Sequence, residues 1–415
     1  MFGMNFVRIS LLRRLAFRWK HLFGLTVIGL LIAGVQFLPR IWRDRQNQIF
    51  DRQCRELRDR KEWANLAAAA ESWTKSDPKQ ADAWLFRAEA AQGQRRYVAA
   101  SDFLFHIPLE DPKSIPALMA GATLLLGNAN RPIEGIEALQ KLIEREPRIA
   151  DAHRNLIQYY ALTLQRHRLL RQIRVAIAND REPPESYVYL FLIDTLRLSN
   201  GVEMNSHWLE QYPDHETFLV ARALHMEEQR EAARRKASEN KINPTKAAIE
   251  STSDRSQALA KLFQRFPHNL ELLSYEIEQS LLVGDSDRVI ALLSQAPPEI
   301  DEDNRFWRYK GQAHEAQGQM TEAESAYRQS ARMNPLDWRT WNSLATIERL
   351  RGRFSEVSRL QSLVNQADTL RLQARGLPLV ENVGTEWLRA FAEFAKDAGD
   401  NQVANAVLRR LGRAP

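Results

Sequence analysis

One cysteine, Cys54, stands in 415 residues. It excludes an internal disulfide and any zinc or iron–sulfur site built on several thiolates. Catalytic signatures are missing as well: the chain holds no G-x-G-x-x-G, no P-loop Gly-Lys-Ser/Thr, no H-E-x-x-H and no G-x-S-x-G. Phosphate cradles, helix-borne zinc hydrolysis and the serine-hydrolase elbow therefore find no support. The nine histidines are scattered, and His207 and His215 flank Pro213 at a spacing that suits no helical ligand pair. Acidic runs such as Glu227-Glu228 and Asp301-Glu302-Asp303 read as solvated charge. Glycine and proline are modest at 17 each, while 44% apolar residues suffice for a buried core. No catalytic residue, metal ligand, cofactor or small-molecule substrate is expected.

What charge there is lies at one end. Of 58 basic and 52 acidic residues, the first 60 positions hold 12 and 4, leaving 46 basic against 48 acidic over 61–415. The basicity belongs to the N-terminus, which points to anionic lipid rather than nucleic acid as its partner. From His21 to Pro39 no residue is charged, with Lys20 and Arg40 at the ends and Trp19 and Trp42 just outside. As a helix this run spans about 28 Å, close to the hydrocarbon thickness of a bilayer. The sequence Val35-Gln36-Phe37-Leu38-Pro39 offers no pair of small residues for cleavage, so a retained single-pass anchor at 21–40 is expected behind a basic tail at 1–20. Both flanks are arginine-rich, and positive charge alone does not orient the span. The expectation is a bacterial inner-membrane protein with a cytoplasmic N-terminus and the rest of the chain across the membrane.

Beyond the anchor a period appears. The interval from Trp307 to Trp341 equals the interval from Gly318 to Gly352. In the first copy Trp307 leads to Gly311, His314, Gly318, Met320, Ala323, Tyr327, Ser330 and Asn334-Pro335; in the second, Trp341 leads to Leu344-Ala345, Gly352, Phe354, Val357 and Leu360. Trp307, Gly311 and His314 share one helix face, Gly318 tolerates a positive φ at a reversal, Ala323 permits close approach, and Pro335 stops the unit. The pattern resembles the tetratricopeptide repeat, and its period is the one that repeat uses. Lys310 and Glu348 depart from it, standing where a large apolar and an aromatic residue are usual. The resemblance implies an all-α fold, a right-handed α-solenoid of helix hairpins preceded by the transmembrane helix.

Weaker copies extend the resemblance over nearly everything after residue 60. Asp77-Pro78, Asp111-Pro112 and Glu146-Pro147 mark the beat. A charged helical linker is expected at 41–60, degenerate repeats at 61–226, a charged insertion at 227–255, repeats again at 256–366 (clearest over 304–361), and a connection with a capping repeat at 367–415. Within the cap, Arg409 and Arg410 suit a solvent-facing end. His153 and His314 fall at packing positions, and Arg166, Arg168, Arg171 and Arg174 form a basic cluster expected to face solvent or membrane.

In tetratricopeptide solenoids the first helices line a concave groove. The resemblance carries that role onto Arg305, Arg308, Gln312 and Glu315, then Arg339, Asn342, Thr346 and Arg349. Four arginines there suit the carboxylates of an extended acidic peptide, somewhat like the clamp of chaperone-binding members, although the clamp's Lys and Asn order is not reproduced. The implied function is a membrane-tethered scaffold that holds a protein partner, without catalysis. Two alternatives stay open: a helical-repeat RNA-binding protein, which the acidic balance of 61–415 disfavours, and an enzyme with its site in the irregular stretch 184–300.

Overall fold

The computed structural model describes residues 40–412 apart from 197, 240–257, 376 and 378–379. The expected tail at 1–20 and the anchor at 21–40, save Arg40, lie outside the described residues. No helix among those described is long and apolar enough to cross a membrane. All regular structure within the described residues is helical. The chain divides into two compact units, Met1–Ala129 and Asn130–Pro415.

The first unit holds α1 (residues 40–59), α2 (Trp63–Ser76), α3 (Ala81–Gly93), α4 (Tyr97–Phe105) and α5 (Ser114–Leu126). The stretch expected to be a charged helical linker, 41–60, is a helix, and it is packed. Phe50, Cys54 and Leu57 recur at helical spacing and meet Leu66, Ala70 and Trp73 of α2. The Trp73 indole donates to the Asn47 side chain at 2.8 Å. Arginines crowd the other faces of α1 and hide this stripe in the sequence. Lys61 and Arg95 take positive φ of 57° and 59° where α1 turns into α2 and α3 into α4. Two left-handed positions at the tryptophan interval thus mark the repeat without a glycine at either.

The second unit runs through α6 (Pro132–Arg145), α7 (Ala150–Leu162), α8 (Arg166–Ala178), α9 (Glu185–Phe191), α10 (Gly201–Gln211), α11 (Glu216–Glu239) and α12 (258–265). It continues through α13 (Leu270–Leu282), α14 (Ser286–Ser294), α15 (Asn304–Ala316), α16 (Met320–Met333), α17 (Trp338–Leu350), α18 (Phe354–Arg375), α19 (Thr385–Asp397) and α20 (Asn401–Gly412). Gly284, Gly318, Gly352 and Gly399 make the reversals, each with φ between 72° and 91°. A Cβ on Gly311 would come within 2.5 Å of the Tyr327 ring, so this glycine is what lets α16 lie close on α15.

The repeated tryptophans have a common task. Trp307 donates its indole N–H to the Asp301 carbonyl and Trp341 to the Pro335 carbonyl, each six residues back. Trp84, in the first unit, does the same to Pro78. Each indole ties a helix to the link that precedes it. The two departures from the repeat pattern are also accommodated. Lys310 lies 4.2 Å from the centroid of the Trp307 ring and pairs with Asp301 at 2.7 Å. Glu348 is buried and held by Arg328 and Arg353 at 2.8 and 3.1 Å.

Two expected boundaries fall inside helices. α11 runs through 226/227 to Glu239, so the charged insertion begins as helix and its remainder lies outside the described residues. α18 runs through 366/367 to Arg375. At the expected solvent-facing cap Arg409 is exposed, while α20 also lies on α8. Arg174 pairs with Asp400 at 2.6 Å, Arg409 approaches Asp180 at 3.6 Å, and Arg410 donates to the Glu182 carbonyl. Phe191 of α9 meets Trp387, Phe391 and Phe394 of α19, with centroids 5.6–6.1 Å apart. The second unit therefore closes on itself, its last hairpin covering α8 and α9.

Candidate functional site

Closure of the second unit leaves a cavity of about 1120 Å3 bounded by α7, α11, α13, α15, α17, the end of α18 and the segment after α9. Its polar wall is built from one column of the repeat. Glu271, Arg305 and Arg339 stand one repeat apart from each other, near the starts of α13, α15 and α17. The first two members are opposite in sign and pair, while Arg339 finds its acids elsewhere. Arg305 reaches both Glu271 oxygens at 2.8 and 2.9 Å. It also folds back onto Asp303, whose carboxylate caps α15 by accepting from the Arg305 backbone N–H. Arg166 comes from α8 to Glu271 at 2.5 Å and to Glu228 at 3.4 Å.

A second knot lies one turn deeper. Arg308 donates from both terminal nitrogens to Asp194 at 2.8 and 2.9 Å, and from one of them to Asp337 at 2.8 Å. Asp337 follows Asp303 by one full repeat and plays the same capping part for α17, accepting from the Arg339 backbone N–H. Asp194 sits in the single 3-10 turn Ile193–Thr195 that follows α9, and α9 is fixed by its aromatic contacts with α19. Arg339 leans between Asp194 at 3.7 Å and Glu278 at 3.4 Å. Behind the wall, the Tyr309 hydroxyl donates to Glu278.

Burial and pairing compete at these acids. Burial pushes the Glu271 carboxyl up, but Arg305 and Arg166 prevail and hold it below its ordinary range. At Asp194 burial likewise opposes ionisation, and Arg308, Arg339, Arg305 and Arg166 outweigh it. Asp337 goes the other way: burial and the nearby Asp194 charge raise it despite Arg308. Arg305 and Arg308 remain cations under all ordinary conditions.

The residues expected to line the groove separate into groups. Arg305 and Arg308 are only 3% and 2% exposed, each occupied by carboxylates of its own chain. Arg305 and the half-buried Arg339 line the cavity. Gln312 and Thr346 are half-buried and Asn342 and Arg349 exposed, and none of these four is in its wall. Glu315 accepts from the Tyr327 hydroxyl. The basic cluster at 166–174 is corrected in two members. Arg166 and Arg174 turn inward to acids on α11, α13 and the link before α20, while Arg168 and Arg171 are exposed.

Sequence reasoning passed over Asp194, Glu271 and Glu278, and on the apolar side Leu162, Leu192, Leu224 and Trp338. The step of one repeat from Arg305 back to Glu271 was a readable signal; Asp194, from a different kind of segment, had none. His153 is buried between the Pro147 carbonyl and Gln172, a packing position as its register implied. Among the described residues no group of three or more His, Cys, Asp or Glu is arranged to hold a metal ion.

Residues 289–335 and 310–356 match the family model described as tetratricopeptide repeat. Both Trp307 and Trp341, with their turn glycines, fall within that stretch. No curated protein matches the chain. Among solved structures it is similar to an IFIT1 monomeric mutant with Gppp-AAAA, at 12% identity and TM-score 0.29 over 85% of this chain and 68% of that one. The Cut9–Hcn1 hetero-tetramer of the APC/C gives 13% and 0.31 over 87% and 78%, and yeast Tom70 gives 11% and 0.26 over 89% and 77%.

Proposed function

We propose that the protein is a membrane-tethered helical-repeat scaffold, without a reaction of its own, whose second unit receives a segment of a partner protein. The observation that carries this reading is the cavity. At about 1120 Å3 it lies at or above the range of ~300–1,000 Å3 common for small-molecule sites. Its wall mixes Leu, Tyr and Trp side chains with carboxylates and arginines, a surface suited to alternating side chains of an extended segment. The tether in this reading is the uncharged run from His21 to Pro39, and the orientation we propose with it is that of an inner-membrane protein with both units outside the cytoplasm.

A photo-crosslinking residue at Gln279, exposed and in the cavity wall, is compared in intact cells with one at Glu322, exposed on α16 and outside it. One discrete adduct from Gln279, absent from Glu322, is expected. The same pattern of adducts from both positions would sink the cavity as the docking place. For the tether, a chain lacking residues 1–40 is expected to leave the alkaline-washed membrane pellet that retains the full chain. Activity of an export-dependent reporter fused at Pro415 tests the side.

A further inference from the structure

The arginines at the starts of α15 and α17 suggest, in sequence, a groove for acidic peptides. We infer that the cavity instead selects a segment with basic and apolar side chains, an inference that rests on the protein-binding reading above. The reason is that the chain's own acids already occupy these arginines. Arg305 spends its three nitrogens on Asp303 and Glu271. Arg308 is shared by Asp194 and Asp337. Arg166 is shared by Glu271 and Glu228. Arg371 lies 4.4 Å from the centroid of the Trp338 ring and pairs with Asp368.

By count the side chains of the wall are negative. Its wall carries six acids, Asp194, Glu227, Glu228, Glu231, Glu271 and Glu278, against the four arginines 166, 305, 339 and 371. A concave, partly apolar wall of one net sign focuses its field on whatever enters. An incoming carboxylate at Arg166 or Arg305 would have to displace Glu271 from a buried arginine, and Arg339, the most exposed arginine of the wall at 30%, is already shared by Glu278 and Asp194. An ammonium or guanidinium group would meet Glu278, 43% exposed and held by Tyr309 and the half-buried Arg339, without breaking the buried pairs at Glu271 and Asp194. Beside these acids Leu162, Leu192, Leu224 and Trp338 offer seats for apolar neighbours. Arginines in this repeat column therefore serve as internal counter-ions, and the polarity of the groove is inverted.

The test uses the full chain in detergent with Gln279→Cys carrying an environment-sensitive fluorophore. Cys54 is buried and its thiol is pushed up to about 11, so labelling is confined to the new thiol. The probes are three 12-residue peptides of alternating Lys-Leu, Ser-Leu and Glu-Leu. The Lys-Leu peptide is expected to bind at least tenfold more tightly than Ser-Leu, with Glu-Leu weakest, and the preference should shrink as salt rises. The double variant Glu227→Gln, Glu278→Gln should weaken Lys-Leu at least fivefold and leave Ser-Leu unchanged. Equal or tighter binding of Glu-Leu overturns the inference and leaves the cavity as a peptide site. Lys-Leu binding indifferent to the double variant also overturns it. If none of the peptides binds, the inference fails, and the crosslink from Gln279 in cells decides the broader reading by itself.

Discussion

Replacing Arg308 by methionine would leave Asp194 and Asp337 buried beside one another without their shared cation. Removing one partner of a buried pair costs about 3–5 kcal/mol, whereas an exposed residue such as Arg349 costs within about 0.5 kcal/mol. Urea denaturation of Arg308→Met and Arg349→Met should reproduce that contrast; equal midpoints would contradict the burial argument. Histidine supplies a pH dependence of definite sign. Burial holds the His225 ring down to about 4 from its ordinary 6.5; the Leu162 carbonyl pulls the other way, and Arg166 adds to the lowering. Glu228, 3.8 Å from the ring, is the nearest acid. Between those pH values the unfolded chain binds a proton that the folded one refuses. Stability therefore falls as pH is lowered through that window, by up to ~1.4 kcal/mol per pH unit from this ring. His153 and His215 are shifted the same way and add to the slope. His225→Leu should flatten the slope of urea midpoint against pH between 6.5 and 4. Below the ordinary carboxylate range, near pH 4, the depressed acids Asp194 and Glu271 add a further loss that His225→Leu leaves in place. At this scale the sequence was half legible. The register placed Arg305 and Arg308 on the inner side of their helix, but apart from Asp303, two residues before Arg305, their counter-ions come from residues 29 to 114 positions away. Of these, only Glu271, Asp303 and Asp337 obey the repeat.

Helix reversals carry the period more faithfully than any other feature. Gly318→Ala forces a side chain into φ of +75°, although no neighbour crowds the position. The expected loss is about 1–2 kcal/mol. Gly384, the N-cap of α19, has φ of −76° and open space around it, so in thermal melts of the two variants Gly384→Ala should cost less, about 0.5 kcal/mol. Similar losses at both positions would mean that the backbone angle is not what matters. The clear repeats were legible because glycine, tryptophan and proline coincide in them. The degenerate ones reverse at Lys61, Arg95 and Leu164, which take the same left-handed angle without a residue type that announces it. The packing of α1 escaped the sequence for a related reason. Its buried stripe of Phe50, Cys54 and Leu57 is narrow, and the charged residues around it dominate the composition. Helix ends were least legible, since α11 and α18 run on past the point where their apolar pattern fades.

A solenoid whose units touch only their neighbours adds its stability repeat by repeat, and its ends are free. The second unit departs from this through the contact of α8 and α9 with α19 and α20. Ending the chain after Val383 should expose Tyr187 and Phe191, which are otherwise buried. Strong binding of a hydrophobic dye and new protease cuts between 180 and 200 are the expected readings. An unchanged digestion pattern would show that α9 stands without its cover. None of this closure could be read from the repeat pattern, which specifies how each hairpin meets the next but not where the last one lands. It has a consequence for biosynthesis. Asp400 is 226 positions after its partner Arg174. Translation at ~5–20 residues per second puts roughly 10–45 seconds between the appearance of the two. For that interval the aromatic side of α9 and the Arg174 side chain wait without their partners, so a nascent chain of this protein is expected to bind a holding chaperone until its final hairpin emerges.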